Sequence, residues 1–198
     1  LTSYSAVRQQ CEQNVREYYK KSVLLRNDDH FEIQFKEIFD HMAALYGLDD
    51  MQKDQLMQWE IEGELEAVIP LVPQISLLKK YIAEGNDIVL ISDMYLPKEV
   101  IVKLLQKADP LLATLPLYVS SEVGHQKTTR KLFLHVYSDL DYCYEKWIHI
   151  GDNRFADQVQ PEMLGIQTAP IPVPEWTPYE KRLADYSSHY EFRCVAKQ

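Results

Sequence analysis

The sequence predicts an α/β fold in which helices flank a parallel sheet and a block of helices comes first. Three observations predict it: helical periodicity without a convincing strand over residues 1–70, short apolar runs after residue 70, and helical segments between those runs. Strands that alternate with helices form βαβ units, and their strands run parallel. We therefore divide the chain into a helical module, residues 1–70, and an α/β module, residues 71–198.

The helical module is predicted to contain three helices. Apolar residues recur at helical spacing from residue 7 to 18 and again from 31 to 45, and Gly47 then marks a helix end. A third helix follows from residue 50 until Pro70. Apolar stripes of this kind form protein cores far more often than cofactor contacts, so we assign them no chemistry.

The α/β module alternates helices and strands. In order, we predict a helix at 75–83, a strand at 87–92, a helix from Pro97, a strand at 115–120, a helix at 127–137, strands at 147–150 and 165–169, and a last helix at 179–186. This order is typical of a Rossmann-like parallel sheet. In such sheets ligands bind outside the carboxyl ends of the strands.

Composition excludes several classes of function. The chain has 21 Lys and Arg against 30 Asp and Glu, a net charge of −9. A surface of that sign repels nucleic acids and anionic lipids, although one pocket can still be locally positive. No apolar run approaches the roughly 20 residues that cross a bilayer, and Cys11, Cys143 and Cys194 have no paired spacing. We expect a cytoplasmic protein with reduced thiols and no nucleic-acid or membrane partner.

Polar residues stand at three predicted strand ends. Ser92 and Asp93 end the first, where a hydroxyl and backbone N–H groups can bind an anionic oxygen. Lys127 follows the second at the start of a predicted helix, where the helix dipole opposes a cation unless an anion lies nearby. Asp152 and Asp157 follow the third and can converge on a divalent cation.

Each of these residues also has an ordinary structural interpretation. Ser92 can be a turn or capping residue, Lys127 a solvated side chain, and Asp152 the N-cap of the next helix. Taken singly, none of the three signals is specific. Their order along three successive strands carries the functional hypothesis.

Three further polar residues have plainer expectations. His149 lies inside a predicted strand and is expected to be a core histidine rather than a metal ligand. Arg154 is expected to face solvent. His125 is close to Lys127, so a substrate contact is an open alternative to a loop position.

The order hydroxyl, lysine, paired carboxylates resembles the haloacid dehalogenase-like hydrolase superfamily. The matching residues are Ser92 in ISDMYLP, Lys127 in GHQKTT, and Asp152 with Asp157 in HIGDNRFAD. These segments look like a subgroup found in bacteria beside or fused to surface-polysaccharide glycosyltransferases, and the helical module looks like that subgroup's helical insertion. The resemblance covers most of the chain, from about residue 7 to 170.

The resemblance implies a Mg²⁺-dependent phosphatase that acts on a small phosphorylated metabolite through an aspartyl-phosphate intermediate. It implies that Lys127 neutralises charge on the transferring group and that Asp157 completes the metal shell or orients Lys127. It gives a catalytic set of Ser92, Lys127 and Asp157, a substrate-binding set of Ser92, Asp93, Lys127 and Asn153, and metal ligands Asp152 and Asp157. The helical module would cover the strand ends as a cap.

The family's first motif, an Asp-x-Asp-x-Thr run that carries the nucleophile, has no match. Asp28 is the nearest candidate, but His30 stands at the second Asp position and the segment has helical periodicity. In similar proteins the motif lies on the central strand, between the strands that end here at Ser92 and Ile150. We therefore expect a nucleophilic Asp upstream of Leu1 in the parent protein, or a strand donated by another chain, and an inactive chain without either.

Two classes of function stay open. The first is a phosphohydrolase, or a fragment of one. The second is a catalytically silent α/β module that binds a partner, for example a glycosyltransferase. Lys127, Asp152 and Asp157 favour the enzyme, whereas the missing nucleophile favours the binding module. A nucleotide-binding protein is a weaker option because no Gly-x-Gly-x-x-Gly turn follows a predicted strand.

Overall fold

The computed structural model describes residues 3–26, 32–141 and 146–171. Within these ranges the chain is mixed α/β and mostly helical. Its helices are α1 (Tyr4–Arg26), α2 (Phe35–Tyr46), α3 (Asp50–Ala67), α4 (Val72–Ala83), α5 (Lys98–Ala108), α6 (Ser120–Val123), α7 (Lys131–Asp139) and α8 (Gln160–Glu162). Its strands are β1 (Leu90–Ser92), β2 (Leu117–Val119), β3 (Ile148–Gly151) and β4 (Gln167–Pro170).

Three single turns complete these elements: 3₁₀ turns at Leu112–Thr114 and Lys127–Thr129, and a π-helical turn at Arg154–Val159. None of the helices in the described ranges is both long and apolar enough to span a membrane. The helix predicted at 179–186, the segment with Asp28 and His30, and two of the three cysteines lie outside the described residues.

The four strands form two parallel pairs. Ile91 of β1 lies opposite Tyr118 of β2, and His149 of β3 lies opposite Thr168 of β4. Helix α5 makes the crossover between β1 and β2. Across the described residues no strand pairing joins β1 to β3, so each has a partner on one edge only. The parallel direction is confirmed, while a single Rossmann-like sheet stays a prediction.

The ends of the first helices follow from local sequence. Gly47 ends α2 in the left-handed region at φ 67°, which glycine adopts without a steric penalty. Asp49 begins α3 by accepting the backbone N–H of Gln52 at 2.8 Å, and the side chain of Gln52 accepts the N–H of Asp49 in return. The three helices predicted for the helical module are therefore confirmed.

The hydrophobic core joins the helical module to the α/β module. The rings of Phe35 and Phe39 in α2 pack 4.9 Å apart, and Tyr95, after β1, stacks on Phe35 at 6.2 Å. The same cluster includes buried residues of α1, α5 and β2, among them Cys11, Val15, Val100, Ile101, Leu117 and Val119. Burying such side chains stabilises the fold by about 1.5–3 kcal/mol each. This packing holds the first helices close to the loops that follow β1 and β2.

The helix predicted at 127–137 is in fact two elements. A 3₁₀ turn covers Lys127–Thr129, Arg130 takes φ 66°, and α7 begins only at Lys131. Lys127 therefore does not stand in the first turn of a long helix, and the helix-dipole reason for an anion beside it was wrong. An anion does lie there, for a different reason.

Candidate functional site

The site is centred on a buried ion pair between Lys127 and Asp157. The Lys127 ammonium donates to Oδ1 of Asp157 at 2.5 Å, and the two side chains are 12% and 3% exposed. Nε2 of His149 lies 3.0 Å from the same oxygen. The backbone N–H of Asn153 donates to Oδ2 at 3.1 Å. Both carboxylate oxygens of Asp157 are thus occupied.

This arrangement controls the ionisation of Asp157. Burial by itself raises the pKa of a carboxyl group, but the hydrogen bonds from His149 and Lys127 outweigh it. Together they hold the pKa of Asp157 well below its ordinary value. Asp157 is therefore ionised at neutral pH, and it supplies the negative charge that compensates Lys127.

The loop after β3 aims Asp157 at Lys127. Asn153 caps the π-helical turn, since its side-chain oxygen accepts the N–H groups of Phe155 and Ala156 at 3.0 Å each. Asn153 also accepts the N–H of Asp157 at 2.7 Å through its backbone oxygen. The alternative interpretation of Asp152 as the cap is therefore wrong. The side-chain oxygen of Asn153, a predicted substrate-binding residue, is used in this cap.

Asp93 holds the backbone of Lys127. Its two carboxylate oxygens accept the Lys127 backbone N–H at 2.9 and 3.1 Å. Burial raises the pKa of Asp93; Lys127 opposes this rise, and the nearby carboxylates of Glu32 and Asp157 add to it. Lys127 consequently links two strand ends, with its backbone bound after β1 and its ammonium bound after β3.

The two roles of the Asp93 carboxylate, acceptor and charge, can be separated by substitution. A raised pKa means that the charge of Asp93 lowers the stability of the fold at neutral pH. We expect Asp93→Asn to be neutral or to stabilise by up to about 1 kcal/mol at pH 7, because it keeps an acceptor without the charge. Asp93→Ala is expected to cost about 1–2 kcal/mol, because it orphans the Lys127 N–H. Urea unfolding measures both, and equal losses would contradict this assignment.

The remaining predicted site residues lie beside this centre. Ser92 is half-buried at the end of β1, next to Asp93, and Asp152 is exposed at the end of β3. Within the described part of the chain neither side chain makes a hydrogen bond. The Ser92 hydroxyl and the Asp152 carboxylate are therefore open to a ligand, whereas Asp93 and Asp157 both bind Lys127.

The donor set fits a magnesium ion in part. No group of three or more His, Cys, Asp or Glu side chains in the described ranges is arranged to hold a metal. Mg²⁺ is commonly bound by one or two carboxylates together with phosphate oxygens and water. Asp152 fits as one such ligand. Asp157 is already largely engaged, because Oδ1 accepts from Lys127 and His149 and Oδ2 accepts a backbone N–H, which leaves room for a metal on Oδ2 only. Its role as a metal ligand stays a prediction.

His149 was only partly understood from the sequence. It is buried as expected, with its ring 4.9 Å edge-to-face from Phe133, but its Nε2 also contacts Asp157. No sequence signal links these residues, because the π-helical turn between them sets their contact. Arg154 is exposed, as predicted.

His125 is not among the described hydrogen-bond partners of the ion pair. It lines a groove of about 300 Å³ with residues of α7 that include His135, and its Nδ1 is buried without a hydrogen-bond partner among the described atoms. A substrate contact of His125 stays a prediction.

Glu32 is the main residue that sequence reasoning missed. It is 3% exposed and accepts Nη1 of Arg16 in α1 at 2.9 Å. Its segment was interpreted as part of an apolar helix stripe, although α2 begins only at Phe35. A lone acid among apolar residues was the available signal.

No protein-family model matches this chain, and no curated protein matches it significantly. The functional argument therefore depends on the contacts within the site.

Proposed function

We propose that this chain is a Mg²⁺-dependent phosphohydrolase of the haloacid dehalogenase-like type, or part of one, built on a Rossmann-like sheet. It acts on a small phosphorylated metabolite through an aspartyl-phosphate intermediate, and the nucleophilic Asp comes from a segment outside this sequence. The observation that carries the proposal is the restraint of Lys127 between two strand ends: Asp93 accepts its backbone N–H, and Asp157 binds its ammonium.

Phosphoryl transfer depends chiefly on positioning and on offsetting negative charge. Lys127 supplies a fixed cation for the transferring group, because Asp157 restrains its ammonium and Asp93 restrains its backbone. The Ser92 hydroxyl donates to a phosphoryl oxygen. Asp157 stays ionised because of its lowered pKa, so it orients Lys127 and takes no part as an acid.

The charge balance of the site supports the need for a metal ion. Lys127 contacts the carboxylates of Asp93 and Asp157, and Asp152 is exposed just after β3. A phosphate dianion would meet excess negative charge there unless a divalent cation accompanied it. Asp152 would hold Mg²⁺, which when bound offsets charge on the phosphoryl oxygens. The overall charge of −9 disfavours large polyanions, so the substrate is small.

Hydrolysis of a generic aryl phosphate by the full-length protein, with and without Mg²⁺, tests the proposal. We expect Mg²⁺-dependent turnover that Lys127→Ala lowers by at least about tenfold, since an electrostatic stabiliser is removed. Lys103→Ala is the matched control, because Lys103 is exposed on α5 and should leave turnover unchanged. Equal activity of the two variants would contradict the site.

A second candidate is a catalytically silent module that binds a partner such as a glycosyltransferase. The connection between α3 and α4 favours it, because Ile69, Leu71 and Val72 are exposed by 80%, 55% and 63%. Contiguous exposed apolar residues mark interaction surfaces. Absence of hydrolysis by the full-length protein at any Mg²⁺ concentration would favour this function over the first.

A further inference from the structure

Glu32 connects the helical module to both loops of the candidate site. One oxygen accepts the Arg16 guanidinium at 2.9 Å. The other accepts the Ser120 hydroxyl at 3.0 Å and the Gln126 side-chain amide at 3.0 Å. The first oxygen also accepts the backbone N–H of the adjacent Ile33 at 3.1 Å. The other three donors come from α1, from the start of α6 and from the loop before the Lys127 turn. A single buried carboxylate therefore joins three separate parts of the chain.

These donors lie next to the residues that form the site. Gln126 directly precedes Lys127 in the chain. The Ser120 hydroxyl has one proton, which it donates to Glu32, and its oxygen accepts the backbone N–H of Met94 at 2.8 Å. Met94 directly follows Asp93. Glu32 thus restrains the neighbours of both residues in the Asp93–Lys127 contact.

We propose that Glu32 is a positioning residue, whose charge holds the loops of Asp93 and Lys127 at the spacing that the site requires. The proposal deepens the proposed function and rests on it for its catalytic meaning. Arg16 lies on α1 and therefore links Glu32 to the helical module. Displacement of α1 would therefore loosen the Lys127 loop.

The charge of Glu32 is needed because every partner is a donor. A carboxylate offers acceptors on both oxygens, whereas a glutamine of the same size would present an N–H₂ group to at least one donor. Hydrogen bonds to an ionised acceptor are also the stronger kind. Glu32→Gln therefore keeps the volume of the side chain but removes its charge and one of its two acceptor oxygens.

Amide hydrogen exchange measured by NMR tests the role directly. In Glu32→Gln we expect exchange at the Met94 and Lys127 amides to accelerate by about tenfold or more. Opening of these loops should cost less free energy there, because no hydrogen bond to a charged acceptor has to be broken. The amide of Gln167, which donates to the Trp147 carbonyl at 3.1 Å in the β3–β4 pair, should not change. If the substitution only lowered the stability of the whole fold, exchange of all three amides would accelerate together.

Glu12→Gln is the matched control. Glu12 bonds Arg8 and Arg16 but none of the described residues of the two site loops. It should leave exchange at Met94 and Lys127 at the wild-type rate. If both glutamine variants have the same exchange pattern, the positioning role is overturned.

Two further measurements keep the test decisive. If Glu32→Gln does not fold, Gln126→Ala takes its place, because it removes one donor to Glu32 without burying an unpaired group. Amide exchange should then accelerate at Lys127 but not at Met94. Binding of inorganic phosphate with Mg²⁺ is measured by calorimetry, and Glu32→Gln should weaken it more than Glu12→Gln does. One outcome separates the two proposals. If the wild-type protein binds no phosphate but Glu32→Gln still accelerates exchange at Met94 and Lys127, the positioning role is supported and the proposed function is overturned.

Discussion

Replacing Gly151 with alanine is expected to destabilise the protein by about 3 kcal/mol or more, because overpacking and the loss of a buried ion pair combine. A Cβ at this position would lie 2.4 Å from Cγ of Asp157 and 2.5 Å from its Cβ and Oδ2. Asp157 cannot move away without breaking its bonds to Lys127 and His149. The added methyl group would therefore clash with the Asp157 side chain, which its hydrogen bonds keep in place.

Urea unfolding of Gly151→Ala measures this loss, and Gly63→Ala is its control. Gly63 lies inside α3, four residues before its last residue Ala67, and nothing is within 4 Å of a Cβ built there. Alanine at that position should stabilise the helix by about 0.5–1 kcal/mol. A Gly151→Ala protein as stable as wild type would show that Asp157 is not packed against β3 as described.

Asp157→Asn is expected to cost about 3–5 kcal/mol at pH 7, because it leaves the ammonium of Lys127 largely buried without its counter-ion. Lys127 is only 12% exposed, so solvent cannot replace the carboxylate. The double variant Lys127→Met, Asp157→Asn removes both charges and should recover a large part of the loss. Free energies of unfolding measured for Lys127→Met, for Asp157→Asn and for the double variant give the coupling energy between the two side chains. A double variant with fully additive losses would contradict a direct ion pair.

The same substitution should change the response to acid. The pKa of Asp157 in the folded state lies below its unfolded value of about 3.9. Its stabilising contribution is therefore complete at pH values above that value and is lost as the pH falls through the folded pKa. The difference in stability between wild type and Asp157→Asn should be constant from pH 7 to about pH 5 and shrink as the pH falls from there towards pH 3. A difference independent of pH over that range would refute the assignment.

The helices of the first 70 residues were predictable because their signals are local. The apolar spacing, the left-handed position of Gly47 and the capping residue Asp49 all act within a few residues of the helix they control. The break before α7 was not predictable in this way. Arg130 is not a typical left-handed residue, so the periodicity of 127–137 gave no indication that the helix starts at Lys131.

The candidate site was predictable in part. The parallel order of strands and helices indicated that residues after β1, β2 and β3 would meet, and Asp93, Lys127 and Asp157 do meet. The metal-ligand role of Asp157 was not separable from its orienting role in sequence, because the choice depends on where its two oxygens point.

The sequence by itself determined which chemical groups stand at the strand ends, since strand position and residue type are both local properties. Only the tertiary structure decided how those groups are held. Glu32 bonds to Ser120 and Gln126 across 88 and 94 residues of chain, and Gly151 matters because Asp157 folds back onto it. Contacts of this kind depend on the packing of whole elements, so no pattern of neighbouring residues predicts them.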